Sequence, residues 1–167
     1  PEGTSSTFPF LGANLDFSAA VQDLQDLEKD GRIAASTIID VNGTDVGVIG
    51  AVTPNLNGIS SPGNVTVADR AGTIAAINAE IASLQGSGVE IIILISHLQG
   101  LSDTGGSGEL DIIDEIDPGL DIVIAGGGDE LLDNGDRSNL LGTEQTTPIF
   151  GTYPLVAQDS GANDVYF

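Results

Sequence analysis

The chain has 167 residues, which suits a single domain, and 40% of them are hydrophobic, which is enough to bury a sizeable core. It has no cysteine, and this excludes disulfide bonds and zinc–thiolate sites. Its 25 acidic residues against 4 basic ones give a net charge of -21, which excludes a nucleic-acid-binding surface and disfavours anionic membranes.

The acidity itself has two interpretations. It favours solubility in general, and the alternative is divalent-cation binding, because carboxylates are hard oxygen ligands. No stretch approaches the length of a transmembrane helix. The chain begins at Pro1 without a methionine and ends at Phe167 in what resembles an interrupted strand. We therefore expect a fragment of a longer protein. For a fragment, the absence of a targeting signal carries little information.

The N-terminal part of the sequence predicts strands around one short helix. The predictions are an N-terminal strand over Phe8–Phe17, a short polar helix or turn over Asp23–Asp30, two apolar strands over Ile33–Asp40 and Asp45–Thr53, and a loop over 54–64. The two strands are separated by Asn42-Gly43, a strong hairpin signal. Asp40–Asp45 superficially resembles a calcium loop, but its glycine stands at the fourth position, so a turn explains it better.

The middle of the chain predicts a helix between two strands. Asp69–Gln85 carries Ile74, Ile77, Ile81 and Leu84 at helical spacing, with Asp69 as its cap and Gly86 and Gly88 at its end. The apolar run Val89–His97 then predicts a central strand buried on both faces, as in a parallel sheet.

The C-terminal part predicts the elements that complete the fold. These are a short helix over Leu110–Ile116, a strand over Asp121–Ala125, a polar stretch over 129–147 and a final hairpin from Pro148–Gln158 and Asp164–Phe167. The alternation of strands and helices predicts an α/β fold, with a mostly parallel or mixed sheet flanked by helices and a C-terminal β-hairpin.

Two strand ends carry the candidate chemistry. His97 is the only histidine and closes the central strand, while Asp121–Ala125 runs into Gly126–Glu130. Ligands of open α/β sheets bind at the carboxyl ends of the strands. His97 is either a ligand there or a structural histidine, and Gly126–Gly128 is either a phosphate cradle or a tight turn. Ser96 cannot pair with His97 as a nucleophile, because neighbouring strand residues point to opposite faces. Catalytic residues cannot be assigned from the residues alone.

Five segments in fixed order resemble one family. They are 8–15 (FPFLGANL), 45–54 (DVGVIGAVTP), 59–65 (ISSPGNV), 88–98 (GVEIIILISHL) and 121–132 (DIVIAGGGDELL). Together they resemble the C-terminal part of the metallophosphoesterase domain of the 5′-nucleotidase family, the calcineurin-like phosphoesterases. The resemblance covers nearly the whole chain and implies a partial domain of that fold over residues 1–167.

The resemblance also implies a two-metal site of the zinc, manganese or iron type. His97 matches the family's lone histidine after a buried strand, and Asp129 stands at the second ligand position of the last metal-binding loop. Gly127 stands where the family has its first histidine in that loop, and the earlier Asp-x-His, Gly-Asp and Gly-Asn-His-Glu motifs have no counterpart here. If this branch uses replacement ligands, Asp129, Glu130 and Asp133 are the first candidates.

By this resemblance, the parent protein hydrolyses phosphate monoesters such as nucleotides. It is extracellular, periplasmic or at the cell surface, and the missing N-terminal half of the domain is the partner of this chain. The fragment alone is expected to be inactive, with only weak cation binding through its carboxylates. The alternative is a non-catalytic acidic extracellular or surface module that keeps the phosphoesterase fold.

Overall fold

A computed structural model describes residues 6–102, 106–128, 130–135 and 149–167. The strands are β1 (Phe10–Leu11), β2 (Leu15–Asp16), β3 (Ile33–Ala34), β4 (Ser36–Val41), β5 (Thr44–Val52), β6 (Thr66–Val67), β7 (Ile91–His97), β8 (Ile122–Ile124), β9 (Leu131–Leu132), β10 (Ile149–Gly151), β11 (Val156–Gln158) and β12 (Asp164–Tyr166). The helices are α1 (Gln22–Lys29), α2 (Leu56–Ile59), α3 (Arg70–Gly86) and α4 (Glu109–Ile112), the last followed by a 3₁₀ turn over Ile113–Glu115.

A six-stranded mixed sheet forms the centre of the fold, with strand order β11-β12-β8-β7-β5-β4. β5, β7 and β8 run parallel to one another, and β12 runs parallel to β8. β4 and β11 are added at the two edges by antiparallel pairing with β5 and β12. This arrangement confirms the predicted α/β class, the central position of the strand that ends at His97, and the C-terminal hairpin.

The predicted turn at Asn42-Gly43 joins β4 to β5. Asn42 and Gly43 both have positive φ, at 55° and 88°. Such angles suit a two-residue hairpin connection, whose twist matches that of the flanking strands. The backbone N–H of Gly43 also donates to the Asp40 carboxylate at 3.3 Å. The turn interpretation of Asp40–Asp45 is therefore confirmed.

The helix α3 covers one face of the sheet as its sequence predicts. Its buried residues include the whole predicted stripe, which is Ile74, Ile77, Ile81 and Leu84. The carboxylate of Asp69 accepts a hydrogen bond from the N–H of Gly72 at 2.8 Å and so caps the first turn. Gly47 of β5 makes room for this helix, because a Cβ atom at Gly47 would lie 2.8 Å from the Leu84 side chain.

The prediction that the central strand is buried on both faces is wrong. Along β7, Ile92, Leu94 and Ser96 are 0%, 2% and 5% exposed, whereas Ile91 and Ile95 are 38% and 47% exposed. The exposure of the side chains alternates along the strand, although the sequence is apolar throughout, because isoleucine occupies positions on both faces. Within the described residues, helices cover one face of this strand and leave the other largely open.

The open face includes positions on β4, β7, β8 and β12, whereas on β5 Val48 is 7% exposed and Gly50 is covered by Leu11. We use the name open face for the exposed apolar side chains Ile39, Val41, Ile91, Ile95, Ile122, Ile124 and Tyr166. Strand pairing brings them together, since Ile91 lies level with Val46, and Ile122 lies level with both Ile93 and Tyr166. Exposed apolar side chains grouped on one sheet face are typical of a surface that packs against another element or chain.

Several element boundaries differ from the prediction. Phe8–Phe17 is two short strands in two different small sheets rather than one strand, with β1 pairing with β3 and β2 with β6. The loop predicted over 54–64 includes the one-turn helix α2. β10 pairs with β9, so the final hairpin contains only β11 and β12. Among the described helices, none has the length and apolarity needed to cross a bilayer.

Candidate functional site

His97 lies at the carboxyl end of β7, level with Val52 at the end of β5. The residue is exposed, whereas Ser96 before it and Leu98 after it are buried. By strand alternation, its ring projects from the same face as Ile91 and Ile95, the open face. The side-chain amide of Gln99 approaches Nδ1 of the ring at 3.1 Å. Nε2 has no hydrogen-bond partner recorded within the described part of the chain, and this nitrogen is a candidate metal ligand.

Gly127 lies directly against the ring of His97. A Cβ atom at Gly127 would be 2.7 Å from Cε1 and 2.8 Å from Nδ1 of the imidazole. Gly127 also has a φ of +90°, a conformation that L side chains rarely adopt. The fold therefore brings together the two strand ends that the sequence singles out, and both the positive φ and the adjacent His97 ring favour glycine at position 127.

The Gly126–Gly128 segment packs against the loop that follows His97. A Cβ atom at Gly128 would lie 2.6 Å from the Cα of Gly100, and it would also meet the carboxylate of Glu130. These contacts support the interpretation of a tight, closely packed turn. No further observation supports a phosphate cradle at this segment.

The remaining predicted ligand positions lie on the segment after this turn. Asp129 falls outside the described residues. The Glu130 carboxylate is half-buried and points toward Gly100, since a Cβ atom there would lie 2.8 Å from Oε1. Asp133 accepts a hydrogen bond from the N–H of Gly135 at 2.8 Å. Glu130 thus lies beside the loop that follows His97, and Asp133 belongs to a local turn.

The donor atoms fit a metal centre only in part. Within residues 6–102, 106–128, 130–135 and 149–167, no three His, Cys, Asp or Glu side chains are grouped so that they could hold a metal ion. A catalytic zinc typically takes three protein ligands. The described residues therefore offer His97 as one ligand and do not make a complete centre.

Asn14 is a residue of the site region that sequence reasoning missed. Its side chain is 3% exposed and forms two hydrogen bonds with the main chain of Val52, donating to O at 2.7 Å and accepting from N at 3.0 Å. It also donates to Thr73 Oγ1 of α3 at 3.0 Å. Asn14 thus anchors the end of β5, beside His97, to the helix layer. The only signal in the sequence was an asparagine within an otherwise apolar segment.

Glu109 was missed as well. It is the first residue of α4, is 1% exposed, and accepts hydrogen bonds from Ser96 Oγ at 2.7 Å and from Leu98 N at 3.4 Å. Burial raises the pKa of this carboxyl above its ordinary value, although these hydrogen bonds oppose the shift. The sequence gives no sign of this, because the neighbours of Glu109 are those of an ordinary acidic helix start.

The chain is similar in sequence to insect proteins of much greater length. It is 31% identical over 137 residues to an apyrase of Anopheles gambiae, covering 82% of this chain and 22% of that protein. It is 30% identical over 160 residues to Protein 5NUC of Lutzomyia longipalpis, covering 95% of this chain and 24% of that protein. No family model matches the chain.

Solved structures show the same relationship. A 5′-nucleotidase precursor from Thermus thermophilus matches with a TM-score of 0.74 and 26% identity, over 95% of this chain and 27% of that one. The NAD nucleotidase of Haemophilus influenzae shares the fold with a TM-score of 0.71 at 24% identity, over 96% of this chain and 25% of that one. The chain therefore spans about a quarter of the length of these relatives.

Proposed function

We propose that this chain is part of a longer hydrolase that cleaves phosphate monoesters, with nucleotides as substrates. Its sequence and its fold are similar to part of the 5′-nucleotidase family of calcineurin-like phosphoesterases. The observation that carries the proposal is the position of His97. The chain's only histidine stands at the carboxyl end of a central parallel strand, projects from the open face and lies against the Gly126–Gly128 turn.

His97 supplies one imidazole ligand to a divalent metal ion in this proposal, with Asp129 as the second residue from this chain. Imidazole together with carboxylate suits zinc, manganese or iron. Such ions polarise phosphoryl oxygens and activate water. The role of this chain's residues is to place the His97 ring and to keep the Gly126–Gly128 turn close to it.

The rest of the domain covers the open face in this proposal. The relatives have about three quarters of their length beyond the part that this chain matches. His97 projects from the same face as the exposed isoleucines, so a layer packed on that face would border the His97 ring. The remaining ligands would then come from that layer, and this chain alone would hydrolyse no phosphate ester.

A location outside the cytoplasm accompanies this proposal: extracellular, periplasmic or at the cell surface. The chain's acidity and its lack of cysteine are compatible with such a location, and the similar bacterial protein is a precursor.

The experiment compares the longer protein with its His97→Ala variant on p-nitrophenyl phosphate and AMP, with added manganese or zinc. We expect metal-dependent turnover in the wild type and a loss of at least about 100-fold in the variant. Loss of a residue that only supports a metal ligand typically costs about 10-fold to 100-fold, and loss of the ligand itself should cost no less. Gln158→Ala, on an exposed position of the edge strand β11, is the control and should keep full activity.

The second candidate is a non-catalytic acidic module that keeps the fold. Gly127 favours it, because this glycine stands where the resembled family has a histidine, and its positive φ and the adjacent His97 ring disfavour a larger side chain there. Absence of metal-dependent turnover in the intact longer protein would select this candidate and contradict the hydrolase.

A further inference from the structure

The buried carboxyl group of Glu109 is the feature of the fold that the proposed function leaves unused. Glu109 is 1% exposed, and its Oε2 has no hydrogen-bond partner among the described residues. Placing a carboxyl in such surroundings costs free energy, and an apolar residue of similar volume would often be more stable there. A carboxyl in this position therefore points to a role that an apolar side chain could not fill.

The hydrogen bonds of Glu109 connect it to the strand end that carries His97. Oε1 accepts from the hydroxyl of Ser96 at 2.7 Å and from the main-chain N–H of Leu98 at 3.4 Å. These two residues stand immediately before and after His97. One carboxyl oxygen therefore holds the strand end on both sides of the histidine.

The two bonds reach His97 from the side opposite to its ring. Ser96 is buried toward the helices, whereas His97 is exposed on the open face. A group on the helix side can therefore fix the main chain from which the ring projects without occupying the space in front of the ring. The adjoining loop is held too, since Leu110 N donates to Leu101 O at 2.7 Å.

We propose that Glu109 is a positioning residue for His97, which fixes the main chain at residues 96 and 98 and so orients the imidazole toward its metal ion. The metal part of this inference rests on the proposed function. Groups that orient metal-binding side chains typically contribute 10-fold to 100-fold to affinity or activity. The ordering of the strand end is a property of the metal-free chain and can be tested alone.

The chain itself offers a matched control. Ser36 Oγ donates to Glu80 Oε2 at 2.5 Å, a second serine–glutamate hydrogen bond, which joins β4 to α3 and lies away from His97. Glu80→Ala therefore removes the same chemical contact without touching the strand end. Any effect that both variants share is a general effect of losing such a bond.

The first measurement is NMR on the metal-free 167-residue chain, in which the single histidine gives one Cε1–Hε1 ring signal. In Glu109→Ala we expect this signal to shift and the main-chain order parameter at Leu98 to fall from about 0.85 to below about 0.6, from rigid to flexible. Glu80→Ala should change neither. Glu109→Gln keeps the acceptor oxygen and should restore most of the order.

The fold of each variant is checked by the methyl signals of Ile92 and Ile77, both 0% exposed. If Glu109→Ala does not fold, Ser96→Ala removes one of the two donors and should lower the order at Leu98 by a smaller amount. Unchanged His97 and Leu98 signals in the folded variants, or equal changes in Glu80→Ala, would overturn the inference.

The second measurement is kcat/KM of the longer protein for p-nitrophenyl phosphate as a function of zinc concentration. Glu109→Ala should need about 10-fold to 100-fold more zinc for half-maximal activity, and Glu80→Ala should need no more than the wild type. If His97→Ala keeps full activity, the proposed function fails, while the metal-free NMR result still decides whether Glu109 positions the histidine.

Discussion

At the scale of single residues, the contact between Gly127 and His97 explains why a glycine occupies position 127. The ring fills the space in which a side chain at position 127 would lie, and the positive φ of Gly127 independently disfavours any other residue. Backbone geometry and close packing thus both favour the glycine at position 127.

We predict that Gly127→Ala destabilises the chain by about 1–3 kcal/mol, because alanine is strained at this φ and its methyl group meets the His97 ring. Gly86→Ala is the matched control, since Gly86 ends α3 with no positive φ and with open space around it. Urea unfolding of both variants measures the difference. Equal stability of the two variants would mean that the turn adapts to a side chain.

The raised pKa of Glu109 predicts a pH dependence of stability. A carboxyl whose pKa is higher in the folded chain than in the unfolded one binds its proton more tightly when folded. Its contribution to stability is therefore fully present below its ordinary value of 4.5 and is lost as the pH rises through the raised value.

Glu109→Gln removes this titration, so the unfolding free energy of the variant should fall less between pH 4.5 and neutrality than that of the wild type. Parallel urea titrations across this pH range measure the difference, with Glu80→Gln as the control. A wild type whose stability rises relative to Glu109→Gln over this range would show that the carboxylate form is favoured.

At the scale of elements, β7 shows how a single strand serves two different surfaces. Ile92 and Ile95 are the same residue type on the same strand, yet one is 0% and the other 47% exposed. Parallel pairing with β5 and β8 fixes the register of β7, and alternation then assigns each side chain to a face. Helices of this chain cover one face of β7, and in our proposal the rest of the longer protein covers the open face.

We predict that Ile92→Ala costs about 2–5 kcal/mol in the isolated chain, whereas Ile95→Ala costs less than about 1 kcal/mol, because only the first leaves a buried cavity. Denaturant unfolding of the two variants measures both values. In the longer protein, Ile95→Ala should become as costly as Ile92→Ala. A small cost there would show that nothing packs on Ile95.

At the scale of the whole molecule, charge is the dominant property. A net charge of -21 on 167 residues makes the folded state repel itself. Among the described residues, Arg70 makes an ion pair, with Glu115 at 2.6 Å, and the pair is half-exposed. Such a pair contributes little, so screening by the solvent controls the electrostatic energy of the chain.

We predict that raising NaCl from about 10 mM to about 150 mM increases the melting temperature, because the screening length falls from about 30 Å to about 8 Å. MgCl₂ at the same ionic strength should act similarly if divalent cations bind only weakly to scattered carboxylates. A much larger gain with MgCl₂ or CaCl₂, measured by differential scanning calorimetry, would reveal a specific cation site.

The sequence by itself determined the local elements and the two strand ends of interest. The stripe of α3, the Asn42-Gly43 turn and the run ending at His97 are encoded by residues close together in the chain, which is why pattern and propensity were sufficient. The family resemblance was likewise carried by short segments in order. These features can be predicted without knowing how the helices pack on the sheet.

Only the tertiary structure decided what lies on each side of those elements. The open face could not be predicted, because a run of isoleucines is equally apolar on both sides of a strand. Asn14 and Glu109 act on Val52, Ser96 and Leu98 across loops and layers, and Val52 is 38 positions after Asn14 in the sequence. Their roles depend on burial and on strand register, which arise only when the sheet and its helices have packed.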